Sequence, residues 1–124
     1  MKTEKGVQLF GLKIEMRPVL IEADKIYEKH GQELFITCTT GGIHSPGSLH
    51  YYGYAIDLRT KFFKDQSEKQ EVKRELSEVL RFPFDVVLES THIHVEFDII
   101  KKLEEQERKC GTLYQRIGQL FRQS

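Results

Sequence analysis

His92-Ile93-His94-Val95-Glu96-Phe97 alternates strictly between polar and apolar residues. Side chains of a strand point to opposite faces in turn, so Ile93, Val95 and Phe97 share one side while His92, His94 and Glu96 share the other. The apolar side must be core, which leaves two imidazoles and a carboxylate together on the opposite face. Just upstream, residues 84–89 (Phe-Asp-Val-Val-Leu-Glu) form a second strand-like run, and Ser90-Thr91 between the two predicts a tight hairpin. Glu89 therefore stands one turn away from His92.

Working outward, residues 54–59 alternate large apolar side chains with Ala55, Asp57 and Arg59, the pattern of a strand buried on one face. Residues 33–38 are short and rich in aromatic and β-branched types, which predicts another strand. Between these two strands, Gly41, Gly42, Pro46 and Gly47 mark residues 39–49 as a loop. A helix is expected over residues 17–30, where Val19, Leu20, Ala23, Ile26 and Tyr27 recur at helical spacing, Pro18 suits a first turn and Gly31 a stop. A second is expected over residues 67–80, with Val72, Leu76, Val79 and Leu80 on one stripe. Helices and hairpin-connected strands in this order predict an α+β domain, a small antiparallel-rich sheet packed against helices, rather than a doubly wound parallel sheet.

A second cluster precedes the strand of Asp57. In Ser48-Leu49-His50-Tyr51-Tyr52-Gly53-Tyr54-Ala55-Ile56-Asp57, His50 closes the glycine-rich loop and Asp57 lies on the face of Ala55. Glycine at 53 and a small residue at 55 leave room for an ion and a substrate backbone. His50 and Asp57 with one histidine of the 92–97 strand make a three-donor set, and catalytic zinc takes three protein ligands and keeps a fourth position open.

Ser48-x-His50-x-x-Gly53-x-Ala55-x-Asp57, followed by an acidic residue and His-x-His, resembles the zinc D-alanyl-D-alanine peptidases of bacterial cell walls and phages, which share a fold with the hedgehog signalling domain. The likeness covers roughly residues 33–98 and includes His44-Ser45 and Glu89-Ser90. It implies a hedgehog/DD-peptidase-like fold, a Zn2+ cofactor held by His50, Asp57 and His94, Glu89 as catalytic acid and base, and His92 as a support for the developing oxyanion. Glu96 is a second candidate for the base, because the spacing from acid to ligand varies among relatives. Ser48 is part of the motif and is counted with the substrate-binding residues. Many relatives carry an arginine ahead of Ser-x-His for the substrate's terminal carboxylate; residues 37–47 contain none. His44 and Arg59 are the candidate substitutes, although only a guanidinium offers a bidentate clamp. An endopeptidase would not need that clamp. The implied substrates and partners are peptidoglycan stem or cross-bridge peptides, cut by a zinc metallopeptidase of carboxypeptidase or endopeptidase type, as in a phage lysin. The alternative is a hedgehog-like metal-binding interaction module with little or no peptidase activity.

The composition agrees with a single domain over residues 1–124. The 124 residues carry 19 Lys+Arg against 19 Asp+Glu, with 39% hydrophobic and 31% charged residues, enough for one core and against disorder. Zero formal charge argues against nucleic acid or anionic lipid as a partner. No run approaches the ~20 apolar residues of a membrane span. The mixed-charge start is followed by no apolar leader, so the chain is expected to be cytoplasmic as synthesised, acting on a wall after release, as in phage lysis, or on small muropeptides in the cytoplasm. Cys38 and Cys110 form no CxxC and are expected to be reduced.

From Ile99 a third helix is expected, with Leu113, Ile117, Leu120 and Phe121 on one stripe; Gly111 is a position able to break or bend it. Residues 101–124 lie outside the resemblance and read as a C-terminal helical extension. They are expected to pack on the domain's own core, with self-association or wall targeting as alternatives.

Overall fold

The computed structural model describes residues 1–40 and 49–122; of residue 51 and residues 112–122 it describes the backbone alone. Strands β1 (Lys2–Thr3), β2 (Phe35–Cys38), β3 (Ala55–Arg59), β4 (Phe84–Leu88) and β5 (His92–Phe97) form one mixed sheet in the order β1-β2-β3-β5-β4. Only the β1–β2 pair is parallel; the other three are antiparallel. With helices α1 (Arg17–Lys29), α2 (Gln66–Leu80) and α3 (Ile99–Arg122), the class is α+β.

Period-two alternation decides which face of the sheet is dry. Ile93, Val95 and Phe97 of β5 and Ile56 and Leu58 of β3 are buried, and they meet Val19, Ala23 and Tyr27 of α1 and Val72, Leu76 and Leu80 of α2 in one core. The remaining side chains of β3 and β5 share the opposite face, where Ala55 is buried and Asp57, Arg59, His92, His94 and Glu96 are only partly covered. Each helix has a local stop or start. Pro18 stands at the entrance to α1, and Gly31, at φ 74°, follows its end. Asp65 caps α2 by accepting the Glu68 N–H at 2.9 Å. The Tyr27 hydroxyl donates to the Arg59 carbonyl at 2.9 Å, tying α1 to the end of β3.

The hairpin of β4 and β5 forms with the Glu89 N–H donating to the His92 carbonyl at 2.8 Å. Two sequence expectations change. Strand β1, two residues with no apolar alternation, was not foreseen, and it adds a parallel edge to the sheet. The helix α3 runs through Gly111 without interruption, because a helical glycine costs only about 1 kcal/mol, too little to break a 24-residue helix. Of the described side chains of α3, Ile99 packs against the core, Ile100 and Leu103 are 64% and 51% exposed and residues 106–111 are all exposed; the expected stripe of Leu113, Ile117, Leu120 and Phe121 lies outside the described side chains. Among the described residues no helix is long and apolar enough to cross a membrane.

Candidate metal centre

The open face of the sheet carries the candidate site, and strand register assembles most of it. Asp57 of β3 is the direct partner of His94 on β5, and Arg59 that of His92. On its other side Asp57 is partnered by Cys38 of β2. That last pairing depends on an irregularity: Ile36 pairs with Leu58 and Cys38 with Asp57, so β2 spends two residues where β3 spends one. A bulge of this kind puts Thr37 and Cys38 both opposite Asp57, whereas regular pairing would send Cys38 towards the core.

His50 arrives from outside the sheet, on a 3-10 turn (Leu49–Tyr52) that leads into β3. It is 4% exposed. Its Nδ1 lies 2.8 Å from the Thr39 carbonyl, which can only accept, so Nδ1 carries the proton and Nε2 is turned towards the carboxylate. Thr39 is itself held, its hydroxyl donating to the Gln8 carbonyl at 2.7 Å. The turn is anchored at Gly53, where φ is 79° and a Cβ would overlap the Gly11 carbonyl; the Lys13 N–H also donates to the Gly53 carbonyl at 3.0 Å.

Two imidazoles then converge on one oxygen. His50 Nε2 is 3.2 Å and His94 Nδ1 2.9 Å from Asp57 Oδ1, with the two rings 5.0 Å apart. The far nitrogen of His94 faces Glu96 Oε2 at 3.5 Å. Second contacts of this kind orient metal-binding histidines and fix which nitrogen is offered. Burial alone would raise the Asp57 carboxyl, but hydrogen bonds with His50 and His94 and the nearby charges of His50 and His92 hold it well below the usual range. His94 is shifted the other way, upward, chiefly through its hydrogen bond with Asp57 and against burial.

Glu89 and His92 stand at the rim. His92 Nε2 donates to Glu89 Oε2 at 2.9 Å and lies 3.7 Å from Asp57 Oδ2, while the Thr91 hydroxyl meets His92 Nδ1 at 2.9 Å. Glu89, about half exposed, is thus joined to the cluster through His92. Arg59 lies beside the site, with its guanidinium 3.7 Å from the centre of the Phe35 ring and 4.7 Å from that of Phe62. It lines a cleft of about 510 Å³ with Thr37, Lys61 and Thr91. At the Tyr54 end of β3, Phe10, Tyr52 and Tyr54 border another of about 640 Å³. His44 and Ser48 lie outside the described residues.

Cys38 was not among the expected site residues. Its sulfur, a His50 nitrogen and an Asp57 oxygen lie within 4.8 Å of one another, a grouping able to hold a metal ion. Burial pushes its thiol up to about 11, and the charges of Asp57 and Glu4 add to the shift. Cys38 and Cys110 are both thiols rather than disulfide partners. The only sequence signal for Cys38 was its place at the end of a strand. The fifth histidine, His30, serves the helices instead, with Nε2 3.0 Å from Glu75.

Neither protein-family models nor curated proteins nor solved structures give a match to this chain.

Proposed function

We propose that the chain is a zinc-dependent peptidase of the D-alanyl-D-alanine type, acting on peptidoglycan stem or cross-bridge peptides from a hedgehog/DD-peptidase-like fold. The observation that carries this is the convergence of His50 Nε2 and His94 Nδ1 on Asp57 Oδ1, each ring steadied at its other nitrogen. A neutral imidazole lone pair and a carboxylate oxygen 3.2 Å apart repel unless a proton or a cation lies between them. The donor chemistry, two nitrogens and one oxygen, suits zinc.

His50, Asp57 and His94 would hold the ion. When bound, zinc supplies Lewis-acid polarisation of a substrate carbonyl and lowers the pKa of a water towards about 7. Glu89 accepts the proton from the attacking water and returns it to the leaving amine. His92, already a donor through Nε2, turns that hydrogen bond from Glu89 towards the oxygen on which charge develops. Glu96 is the second candidate for the base, since its carboxylate is engaged with His94. Arg59, held between aromatic rings, offers the edge of its guanidinium to a polar group of the substrate in the neighbouring cleft.

The test is incubation of the zinc-loaded chain with purified peptidoglycan of several cross-bridge types, followed by mass analysis of the released fragments. New termini at a peptide bond are expected.

One observation favours the second reading, a metal-binding interaction module. Cys38 groups with His50 and Asp57, its sulfur within 4.8 Å of their donor atoms; were His94 to join as well, four protein ligands would close the site to water and make it structural in character. A chain that holds zinc and releases no fragment from any wall type would establish it.

A further inference from the structure

We propose that α3 is a parallel two-stranded coiled coil between two copies of this chain, with Cys110 facing Cys110 across the axis. The helix is continuous over 24 residues, about 36 Å at ~1.5 Å per residue. Its first turn is fastened to the body by Ile99 against the core and by Lys101 Nζ, 3.4 Å from Asp85. From there the apolar residues Ile100 and Leu103 are exposed, as is Cys110.

The spacing along the helix is that of a heptad. With Leu103, Cys110 and Ile117 at a, the d positions beyond the core-packed first turn are Gln106, Leu113 and Leu120. A seven-residue repeat of this kind winds helices about each other with a and d at the seam. Both glycines of the helix, Gly111 and Gly118, fall at b, away from the seam. Gln106 makes one polar layer, a device that fixes register at some cost in stability.

The charges choose the partner and its direction. The g positions are Lys102, Lys109 and Arg116, cations throughout, and the first e position after Lys102 is Glu107. Antiparallel pairing places g against g, which would bring three cations against three. Parallel pairing places g against e of the next heptad, so Lys102 of each copy meets Glu107 of the other. A second copy is thus the occupant that the exposed stripe fits, in one direction only.

The test uses the full chain, first in reducing buffer. Light scattering after size exclusion at tens of micromolar should give twice the monomer mass of 14.6 kDa. Leu103→Glu with Ile117→Glu should return it to one copy, with the far-ultraviolet signal of the sheet domain retained. Treatment with diamide, which takes two electrons and two protons from a pair of thiols, should join the copies covalently in the unaltered chain. In Cys110→Ser the non-covalent dimer should persist and the cross-link should vanish. A monomeric unaltered chain overturns the proposal, as does a dimer indifferent to the two glutamates. A dimer that never cross-links through Cys110 overturns the parallel arrangement.

Discussion

Asp57 and His94 face each other directly across β3 and β5, and Asp57 Oδ1 lies 2.9 Å from His94 Nδ1 while also receiving His50. One carboxylate oxygen therefore organises two histidines that are 44 positions apart in the sequence. The ion predicted here would take the place of the proton that now lies between His94 and Asp57.

The chain is expected to bind about one zinc per copy, and His50→Ala, Asp57→Ala and His94→Ala are each expected to lose stoichiometric metal. Elemental analysis after desalting reads this directly. Full occupancy in both histidine variants would remove the site.

Metal affinity and ion-free stability should respond to pH in opposite directions. His94 is raised in the folded state, so its contribution to stability is complete below its unfolded value and is lost as pH rises through the folded one. Asp57 is lowered, so its contribution is present above the ordinary carboxylate range and is lost as pH falls through its folded value. The ion-free chain should therefore lose stability towards the alkaline side of neutral and again in strong acid. Zinc must displace the His94 proton, so affinity should climb by about tenfold per pH unit while that proton is present. Thermal midpoints with chelator and competition titrations with zinc, both between about pH 5.5 and 8, check the two slopes.

Glu89→Gln keeps the shape of the side chain and removes the proton acceptor. Zinc content should be unchanged while hydrolysis of wall peptides falls at least about a hundredfold. For His92→Ala the expected loss is roughly ten- to thousandfold, again with zinc retained. Activity that survives in Glu89→Gln would transfer the role to Glu96.

Cobalt substitution separates an open site from a closed one. The peptidase reading expects no thiolate-to-cobalt charge-transfer band and an unchanged metal content in Cys38→Ala. An intense near-ultraviolet band that disappears in Cys38→Ala would make Cys38 a ligand and favour the closed, structural site.

Much of this arrangement was legible in the sequence because period two survives folding wherever one face of a strand is dry. The alternation from His92 to Phe97 announced both the core face and the site face, and the same pattern placed Asp57 and Arg59 with them. Cys38 was hidden because a bulge changes the face of a residue without changing the composition around it. β1 was hidden because its two residues are held by pairing with β2 rather than by burial of their own. The exposure of Ile100 and Leu103 on α3 was not legible, since an amphipathic stripe says that a partner exists and not which one.

The approach of Gly11 to Gly53 bears on when the site comes into being. The orientation of His50 depends on the contact of Thr39 with Gln8, 31 residues away, and on that of Lys13 with Gly53. Loop closures of that length cost entropy before any contact offsets it, whereas α1 and α2 form from near neighbours. The metal-binding geometry is then among the last features a folding chain completes. An ion that recognises only the finished arrangement favours it by mass action, and with it the clasp formed by residues 8–13. Zinc should accordingly slow hydrogen exchange at the Lys13 amide, which donates to Gly53 and touches none of the donors. In this chain metal uptake would serve as a report that the amino-terminal segment has closed.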